Sequence, residues 1–140
     1  TRGNREAAAE EYREALRVDP KFAMAHINLA SILMERGEND ESRDHFRTGL
    51  EIFPESTVGM FNYSVLLQRL GDLDAARKHL KRASLLDPNH ALVHYRLGIV
   101  LVALEQFDEA ELEFRRSVMI NPRNADAVEQ LKKLQNRPRP

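Results

Sequence analysis

The chain has 140 residues, 42% of them hydrophobic and 31% charged, which is the size and balance of one soluble domain. Its 21 basic and 22 acidic residues give a net charge of −1, which argues against a general nucleic-acid surface because such a surface needs a basic stripe. We see no apolar run long enough to span a membrane and expect no signal peptide at Thr1, and the absence of cysteine excludes disulfides and thiol chemistry. Composition does not fix the compartment, with a cytoplasmic location favoured.

Apolar periodicity along the chain predicts an all-α protein. The first predicted helix places Ala8, Tyr12, Ala15 and Leu16 on one apolar stripe. The helices that follow are arranged in pairs joined by short turns. In chain order, the predicted helices are 5–18, 22–35, 40–53, 56–70, 73–86, 90–103, 107–120 and 124–136.

The last predicted helix has the pattern of a capping helix. Asn124 is a suitable N-cap, and the apolar and charged side chains separate onto two sides. The side chains expected to face inward are Val128, Leu131 and Leu134, and those expected to face water are Glu129, Lys132 and Lys133. Residues 137–140, with two prolines, are expected to form a tail or linker.

Four prolines stand at 34-residue intervals, and a fixed period of this length indicates stacked two-helix units. We number each 34-residue repeat so that its proline is position 32. Small residues then recur at positions 8, 20 and 27, as expected where two helices cross closely. The prolines are Pro20, Pro54, Pro88 and Pro122, and the small residues are Ala30, Ser64, Gly98, Ala8, Ser42, Ala76, Ala110, Ala15, Gly49, Ala83 and Ser117.

With this register, the chain resembles a tetratricopeptide repeat protein. The resemblance implies a right-handed α-solenoid of antiparallel helix pairs, a superhelix without a central core. Departures are mild: position 4 is His26, Met60, His94 and Val128 instead of tryptophan, and Glu105 replaces the glycine of position 15, which predicts a different turn there. The expected parts of this single array are a half repeat 1–22, full repeats 23–56, 57–90 and 91–124, and a capping helix 125–136.

The chain begins in the middle of a repeat, which suggests a piece cut from a longer array. The simpler explanation is that the mid-repeat start only reflects where that piece was cut. The alternative is that the bare face of helix 5–18 pairs with another molecule, which would make self-association through this helix one partner of the chain.

In this family the first helix of each repeat lines an inner groove, and the resemblance implies a partner-binding surface there. The groove is apolar for a face in contact with solvent, which usually marks a binding surface, although some of its side chains could pack against neighbouring helices instead. The candidate residues are Met24, Ile27, Asn28, Ser31, Val58, Phe61, Asn62, Val65, Arg69, Leu92, Tyr95, Arg96, Ile99 and Gln130.

Position 6 carries a planar hydrogen-bonding side chain in every repeat that contains it. Amides repeated once per unit resemble the asparagine ladder of O-linked N-acetylglucosamine transferases and would pair with the backbone of an extended peptide. A purely structural role for these amides is the open alternative. The residues at this position are Asn28, Asn62, Arg96 and Gln130.

The carboxylate clamp, another binding mode of the family, grips the acidic tail of chaperones. Its pattern is matched here by Asn62 and Arg96 but not by Ile27, Ser31 or Leu92. Most of the positive charge that would hold a carboxylate is therefore missing, and binding of chaperone tails is not expected.

Catalytic or metal chemistry has almost no support in the sequence. His90 and His94 are four residues apart, but no third ligand is near them and no cysteine exists. There is no phosphate loop or nucleophile motif, and most acidic residues lie at the starts of second helices, where they favour the helix terminus. We therefore expect no enzyme activity, cofactor or metal.

The sequence predicts a protein-interaction scaffold that binds a peptide or helical segment of a partner in its apolar groove. The alternative is a structural module that extends a longer superhelix or docks on another part of its parent chain. The aromatic and arginine side chains Phe61, Tyr95 and Arg96, with Asn62, are the expected anchors.

Overall fold

The computed structural model describes residues 2–138, and these form eight helices with no strand among them. The all-α class is confirmed. Seven of the predicted helices agree with the observed ones to within one residue at each end, whereas the first begins three residues earlier than predicted. The helices are α1 (Arg2–Val18), α2 (Ala23–Arg36), α3 (Asn39–Ile52), α4 (Thr57–Arg69), α5 (Leu73–Leu86), α6 (Ala91–Ala103), α7 (Phe107–Ile120) and α8 (Ala125–Gln135).

The turns that follow α2, α4 and α6 share one geometry. Gly37 and Gly71 each have φ of 79°, and Glu105 at the same repeat position has φ of 59°. After Glu105, the backbone N–H of Gln106 donates to Leu101 O at 2.9 Å, a bond that closes the turn by reaching back over the helix end. The prediction of a different turn at Glu105 is therefore wrong, because the glutamate is held in the same left-handed conformation as the glycines.

The chain divides into two compact units, Thr1–Leu66 and Leu67–Pro140. We call them unit 1 and unit 2; the boundary falls within α4. The expectation of a single array over residues 1–136 stays a prediction.

In unit 1, α1 packs on α2 and α2 packs on α3. The core between α1 and α2 is built on Ala9, Leu29 and Leu33, all fully buried. Tyr12 and Leu16 pack against it, as the predicted stripe requires. The small residue at the centre of this contact is Ala9 and not Ala8, which is only half-buried, so the stripe is correct but its small member is shifted by one residue.

The crossing of α2 and α3 depends on small residues, as predicted. A Cβ added to Gly49 would lie 2.8 Å from Ile27 Cγ1 and 3.2 Å from Ala23 O, too close for any larger residue without movement. Ser42, fully buried, donates from Oγ to Ala30 O at 2.7 Å. Both small residues thus allow close approach, and the serine also satisfies its own hydroxyl.

Unit 2 repeats this arrangement with α5 on α6, α6 on α7 and α7 on α8. Gly98 on α6 faces the ring of Phe114 on α7, and a Cβ there would lie 2.6 Å from the ring. Ser117 on α7 donates from Oγ to Ala91 O at 2.9 Å. These contacts fix the α6–α7 pair in the same way as the equivalent small residues fix α2 and α3.

Helix α8 has the N-cap and the two-sided distribution of side chains that the sequence predicts. The Asn124 side chain accepts a hydrogen bond from Ala127 N at 3.1 Å, which confirms the N-cap. The inward apolar side chains are half-buried and the charged ones exposed. Beyond α8, the guanidinium of Arg137 lies 4.2 Å from the ring centroid of Phe107, so this residue packs on α7; Arg139 and Pro140 of the predicted tail lie outside the described residues.

Candidate functional site

Exposed apolar side chains recur at position 2 of the three full repeats. Met24 is 37% exposed, Val58 51% and Leu92 50%, each within the first turn of its helix. Met24 and Val58 belong to unit 1 and Leu92 to unit 2. Exposed apolar side chains that recur at one register make this face of the first helices a candidate binding surface. Position 30 also carries exposed apolar side chains, at the ends of the second helices: Val18, Ile52, Leu86 and Ile120.

Ile27, in contrast, does not face the groove. Its side chain is fully buried, within contact distance of the sites where Gly49 and Gly59 lack a side chain. The two glycines leave space on α3 and α4 that the isoleucine fills. The expectation that Ile27 is an exposed groove residue is therefore wrong, because position 5 of this repeat belongs to the packing between helices.

The other apolar candidates lie between these extremes. Phe61 and Val65 on α4 are half-buried, as are Tyr95 and Ile99 on α6. The Tyr95 ring centroid is 5.9 Å from that of Phe114, so the tyrosine also contributes to the packing of α6 on α7. Each of these side chains leaves only part of its surface exposed.

One of the two position-6 residues of unit 1, Asn62, links two first helices. Asn62 on α4 donates from Nδ2 to Ser31 Oγ on α2 at 3.1 Å, while Ser31 donates from Oγ to Ile27 O at 3.0 Å. The carbonyl oxygen Oδ1 of Asn62 makes no hydrogen bond to any of residues 2–138. One end of the amide therefore serves the fold, and the other end is left as an acceptor.

In unit 2 the same position carries charge. Arg96 NH1 lies 3.4 Å from Gln68 Oε1, and Arg69 beside that glutamine is exposed. Position 6 of the other two repeats is half-buried in both cases, as Asn28 and Gln130. The polar row is thus amide-like in unit 1 and partly cationic in unit 2.

Of the two histidines that the sequence singled out, His94 is engaged in packing through both ring nitrogens. His94 is buried; its Nδ1 lies 2.6 Å from Glu113 Oε2 and its Nε2 2.8 Å from Pro88 O. Both ring nitrogens are used in this way, so His94 and His90 do not form a metal site. Among residues 2–138, no three histidine, cysteine or acidic side chains lie close enough to hold a metal ion.

An equivalent pair in unit 1 was not predicted. His26 Nδ1 lies 2.8 Å from His45 Nδ1, and His26 Nε2 lies 2.9 Å from Pro20 O. Burial, and then the nearby His26, lowers the pKa of His45 below its ordinary value. The signal was present in the sequence, since His26 and His94 share position 4 and their partners share position 23.

Profiles of one family match most of the chain. Two tetratricopeptide repeat profiles match residues 1–57 and 67–134. The chain belongs to the tetratricopeptide repeat family. A search of curated protein sequences gave no match. In the described residues, no helix of this tetratricopeptide repeat chain combines the length and the apolar character that crossing a membrane requires.

Solved tetratricopeptide repeat structures share the fold. MamA superposes with a TM-score of 0.87 at 20% identity, covering 94% of this chain and 77% of that one. The first repeat domain of Spaghetti (RPAP3), bound to the HSP90 peptide SRMEEVD, gives 0.77 at 23% identity, covering 81% and 90%. YrrB, described as having an unusual peptide-binding site, gives 0.82 at 23% identity, covering 94% and 68%. At these identities the likeness shows the fold alone.

Proposed function

We propose that this chain is a protein-interaction scaffold and that the first-helix face of each unit takes a peptide or helical segment of a protein partner. The observation that carries the proposal is the exposed apolar side chain at position 2 of every full repeat: Met24, Val58 and Leu92. Burying such side chains against a partner is favourable by about 25 cal/mol per Å² of apolar surface. This role is binding and not catalysis.

Polar side chains beside the apolar ones would set the register of the bound segment. In unit 1, Asn62 Oδ1 is available to accept a backbone N–H of a partner, because only its Nδ2 is engaged, by Ser31. In unit 2, Arg69 at the end of α4 is an exposed cationic side chain. Apolar contacts would supply affinity and these groups the direction, as in other modes of peptide recognition.

The solved relatives give the proposal its context. RPAP3 and YrrB are tetratricopeptide repeat proteins whose structures are described with a bound peptide and a peptide-binding site, respectively. Because fold does not determine function, the support for peptide binding here comes from the exposed face itself.

A matched pair of variants tests the proposal. The groove variant replaces Met24, Val58 and Leu92 with serine. The control variant replaces two apolar side chains of even greater exposure that lie off this face, Leu85 and Met119, at 80% and 78%. Both are used as bait in lysate of the source organism, with captured proteins identified by mass spectrometry and their affinity then measured with purified partner. Circular dichroism confirms that each bait is folded.

The groove variant is expected to lose at least tenfold in affinity for the captured partner, and the control variant to keep it. A partner that binds both variants equally well would overturn the proposed face. A partner lost by the control variant alone would move the site to the ends of the second helices.

Self-association through α1 is the second candidate. It is favoured by Val18, which is 80% exposed at the end of that helix. Light scattering over a range of protein concentrations tests it: a mass that rises with concentration, and that Val18→Ser abolishes, supports self-association, and a monomer throughout refutes it.

A further inference from the structure

We propose that the His26–His45 pair makes the α2–α3 contact of unit 1 sensitive to acid, because only one proton fits between the two facing ring nitrogens. The Nδ1 atoms lie 2.8 Å apart, a hydrogen-bond distance that requires one nitrogen to donate and the other to accept. If both carried hydrogen, the two N–H groups would point at each other, and one ring would have to leave.

The other ring nitrogen of His26 restricts the choice further. Its Nε2 lies 2.9 Å from Pro20 O, and since a carbonyl only accepts, this nitrogen must be the donor. His26 therefore holds the turn before α2 with one nitrogen and α3 with the other. A rotation that relieves a clash at Nδ1 breaks the bond to Pro20 as well, so the turn and the helix contact respond together.

The protons of the pair can be counted from this geometry. The neutral pair carries two N–H groups, one on His26 Nε2 and one between the rings. A third proton is accommodated on His45 Nε2, which faces Glu41 Oε1 at 3.8 Å. A fourth proton has no place without breaking the contact. In the unfolded chain, both histidines take up a proton near pH 6.5.

Charged groups from two helices surround the pair. Glu41 and Asp44 come from α3 and favour protonation of His45, whereas Arg13 from α1 opposes it. Arg13 NH2 also lies 3.7 Å from Glu41, which divides that carboxylate between the arginine and the histidine. Burial and His26 outweigh the two carboxylates, and the pKa of His45 is lowered. The surroundings therefore do not supply enough negative charge to make the fourth proton tolerable.

The sign of the pH effect follows from linkage. Below pH 6.5, the unfolded chain binds more protons at this site than the folded chain does, so stability falls as pH falls. For one excluded proton, the ratio of folded to unfolded unit 1 is expected to drop by up to tenfold per pH unit.

The chain supplies its own comparison for this site. At the same positions, 4 and 23, the second repeat has Met60 and His79. The third repeat pairs His94 with Glu113, and both ring nitrogens of His94 face oxygen acceptors. The substitution His26→Met copies the second repeat. It removes one of the two facing rings, so that a proton on His45 Nδ1 no longer excludes another. The substitution His45→Glu copies the third repeat. It places a carboxylate acceptor opposite His26 Nδ1, so that a proton on this nitrogen is favoured instead of excluded.

Hydrogen exchange on the full chain tests the proposal at pH 7.5, 6.5 and 5.5, read by mass spectrometry on peptides from α2 and α3 and corrected for the intrinsic effect of pH on exchange. Wild type is expected to lose up to tenfold in protection per pH unit below 6.5. His26→Met is expected to lose clearly less, and His45→Glu to lose none or to gain. Equal pH dependence in wild type and His45→Glu would overturn the proposal.

A measurement on unaltered protein covers the case in which a variant fails to fold. Long-range ¹⁵N–¹H spectra report the protonation of each imidazole nitrogen. The expected result is at most one extra proton on the pair between pH 7.5 and 5.5 while α2 and α3 stay protected. If both rings become doubly protonated near pH 6.5 and protection in α2 and α3 is unchanged, the proposal is wrong.

Discussion

His94 on α6 and Glu113 on α7 form a buried pair, with His94 Nδ1 2.6 Å from Glu113 Oε2. The carboxylate also accepts from Arg116 NH1 at 2.8 Å. Because His94 Nε2 is held at the same time by Pro88 O, the imidazole joins α7 to the turn that precedes α6. Loss of the acceptor on α7 should therefore loosen both.

Replacing Glu113 with alanine is expected to lower the free energy of unfolding by about 1–3 kcal/mol, the usual effect of leaving a buried donor without its acceptor. Glu113→Gln retains an acceptor for His94 and should cost less. Urea unfolding followed by circular dichroism measures both. Arg116→Ala is the control, since half of that side chain is exposed and exposed ion pairs contribute at most about 1 kcal/mol. Equal losses for the alanine and glutamine variants would show that the His94 bond is not what stabilises the pair.

Glu105 pays an avoidable conformational cost that glycine would relieve. Its φ of 59° is a left-handed backbone conformation that costs a residue with a Cβ roughly 1–2 kcal/mol. We expect Glu105→Gly to raise the free energy of unfolding by about 1 kcal/mol, less the added flexibility of glycine in the unfolded chain.

Gly71→Ala is the reciprocal test at the equivalent turn. Nothing lies within 4 Å of the site where its Cβ would be added, so only the backbone conformation is disturbed. A loss of about 1 kcal/mol is expected. Thermal unfolding measures both variants. A higher Tm for Glu105→Gly with a lower Tm for Gly71→Ala would support the left-handed turn, and a lower Tm for both would contradict it at Glu105.

Gly98→Ala should destabilise unit 2 by steric overlap. The added Cβ would lie 2.6 Å from the Phe114 ring, which is fully buried, and overpacking of this kind costs about 1–3 kcal/mol. Gly3→Ala is the matched control, because nothing lies within 4 Å of that site in α1 and alanine favours helix. Denaturant midpoints compare the two. The double variant with Phe114→Leu should recover part of the loss, and an absence of recovery would place the cause elsewhere.

The pKa of His79 is lowered by burial first, and then by Lys78 and Arg82. Because the folded pKa is the lower one, the unfolded chain is protonated first as pH falls, and this histidine contributes stability that is lost below pH 6.5. Lys78→Gln is expected to raise the pKa of His79 toward its ordinary value and to reduce this loss. An NMR titration measures the shift, with Lys132→Gln on α8 as the control that should leave the His79 titration unchanged.

The period of the sequence was sufficient to predict the helices because small residues at crossings and breakers at turns are local requirements. The turn at Glu105 shows the limit of that reasoning. A glycine at position 15 predicts a left-handed residue, but its absence does not predict another turn, since the neighbouring bonds, such as Gln106 N to Leu101 O, impose the conformation. The residue type at position 15 therefore sets the energetic cost of the turn and not its conformation.

The sequence indicates which repeat positions form the candidate site, but it does not indicate how exposed each side chain is. Position 5 lies on the groove side in the family pattern, yet Ile27 is buried because Gly49 and Gly59 happen to leave room for it. Such a contact joins residues that are far apart in sequence, and the period alone does not reveal it. The pairing of His26 with His45 was not predicted either, but there the period carried a signal, since this pair and the His94–Glu113 pair both join positions 4 and 23.

The bond from Asn62 Nδ2 to Ser31 Oγ allows the two roles of position 6 to be separated. Asn62→Ala, Ser31→Ala and the double variant form a cycle in which the coupling free energy of unfolding should be about 0.5–1.5 kcal/mol, the usual worth of one hydrogen bond. A coupling free energy near zero would show that the bond between Asn62 and Ser31 does not stabilise the fold. If Asn62 Oδ1 also receives a backbone N–H of a partner, Asn62→Ala should weaken binding severalfold more than Ser31→Ala, as measured by calorimetry with the partner from the groove experiment. Equal weakening by the two single variants would mean that the amide only joins the helices and that the apolar side chains at position 2 recognise the partner without it.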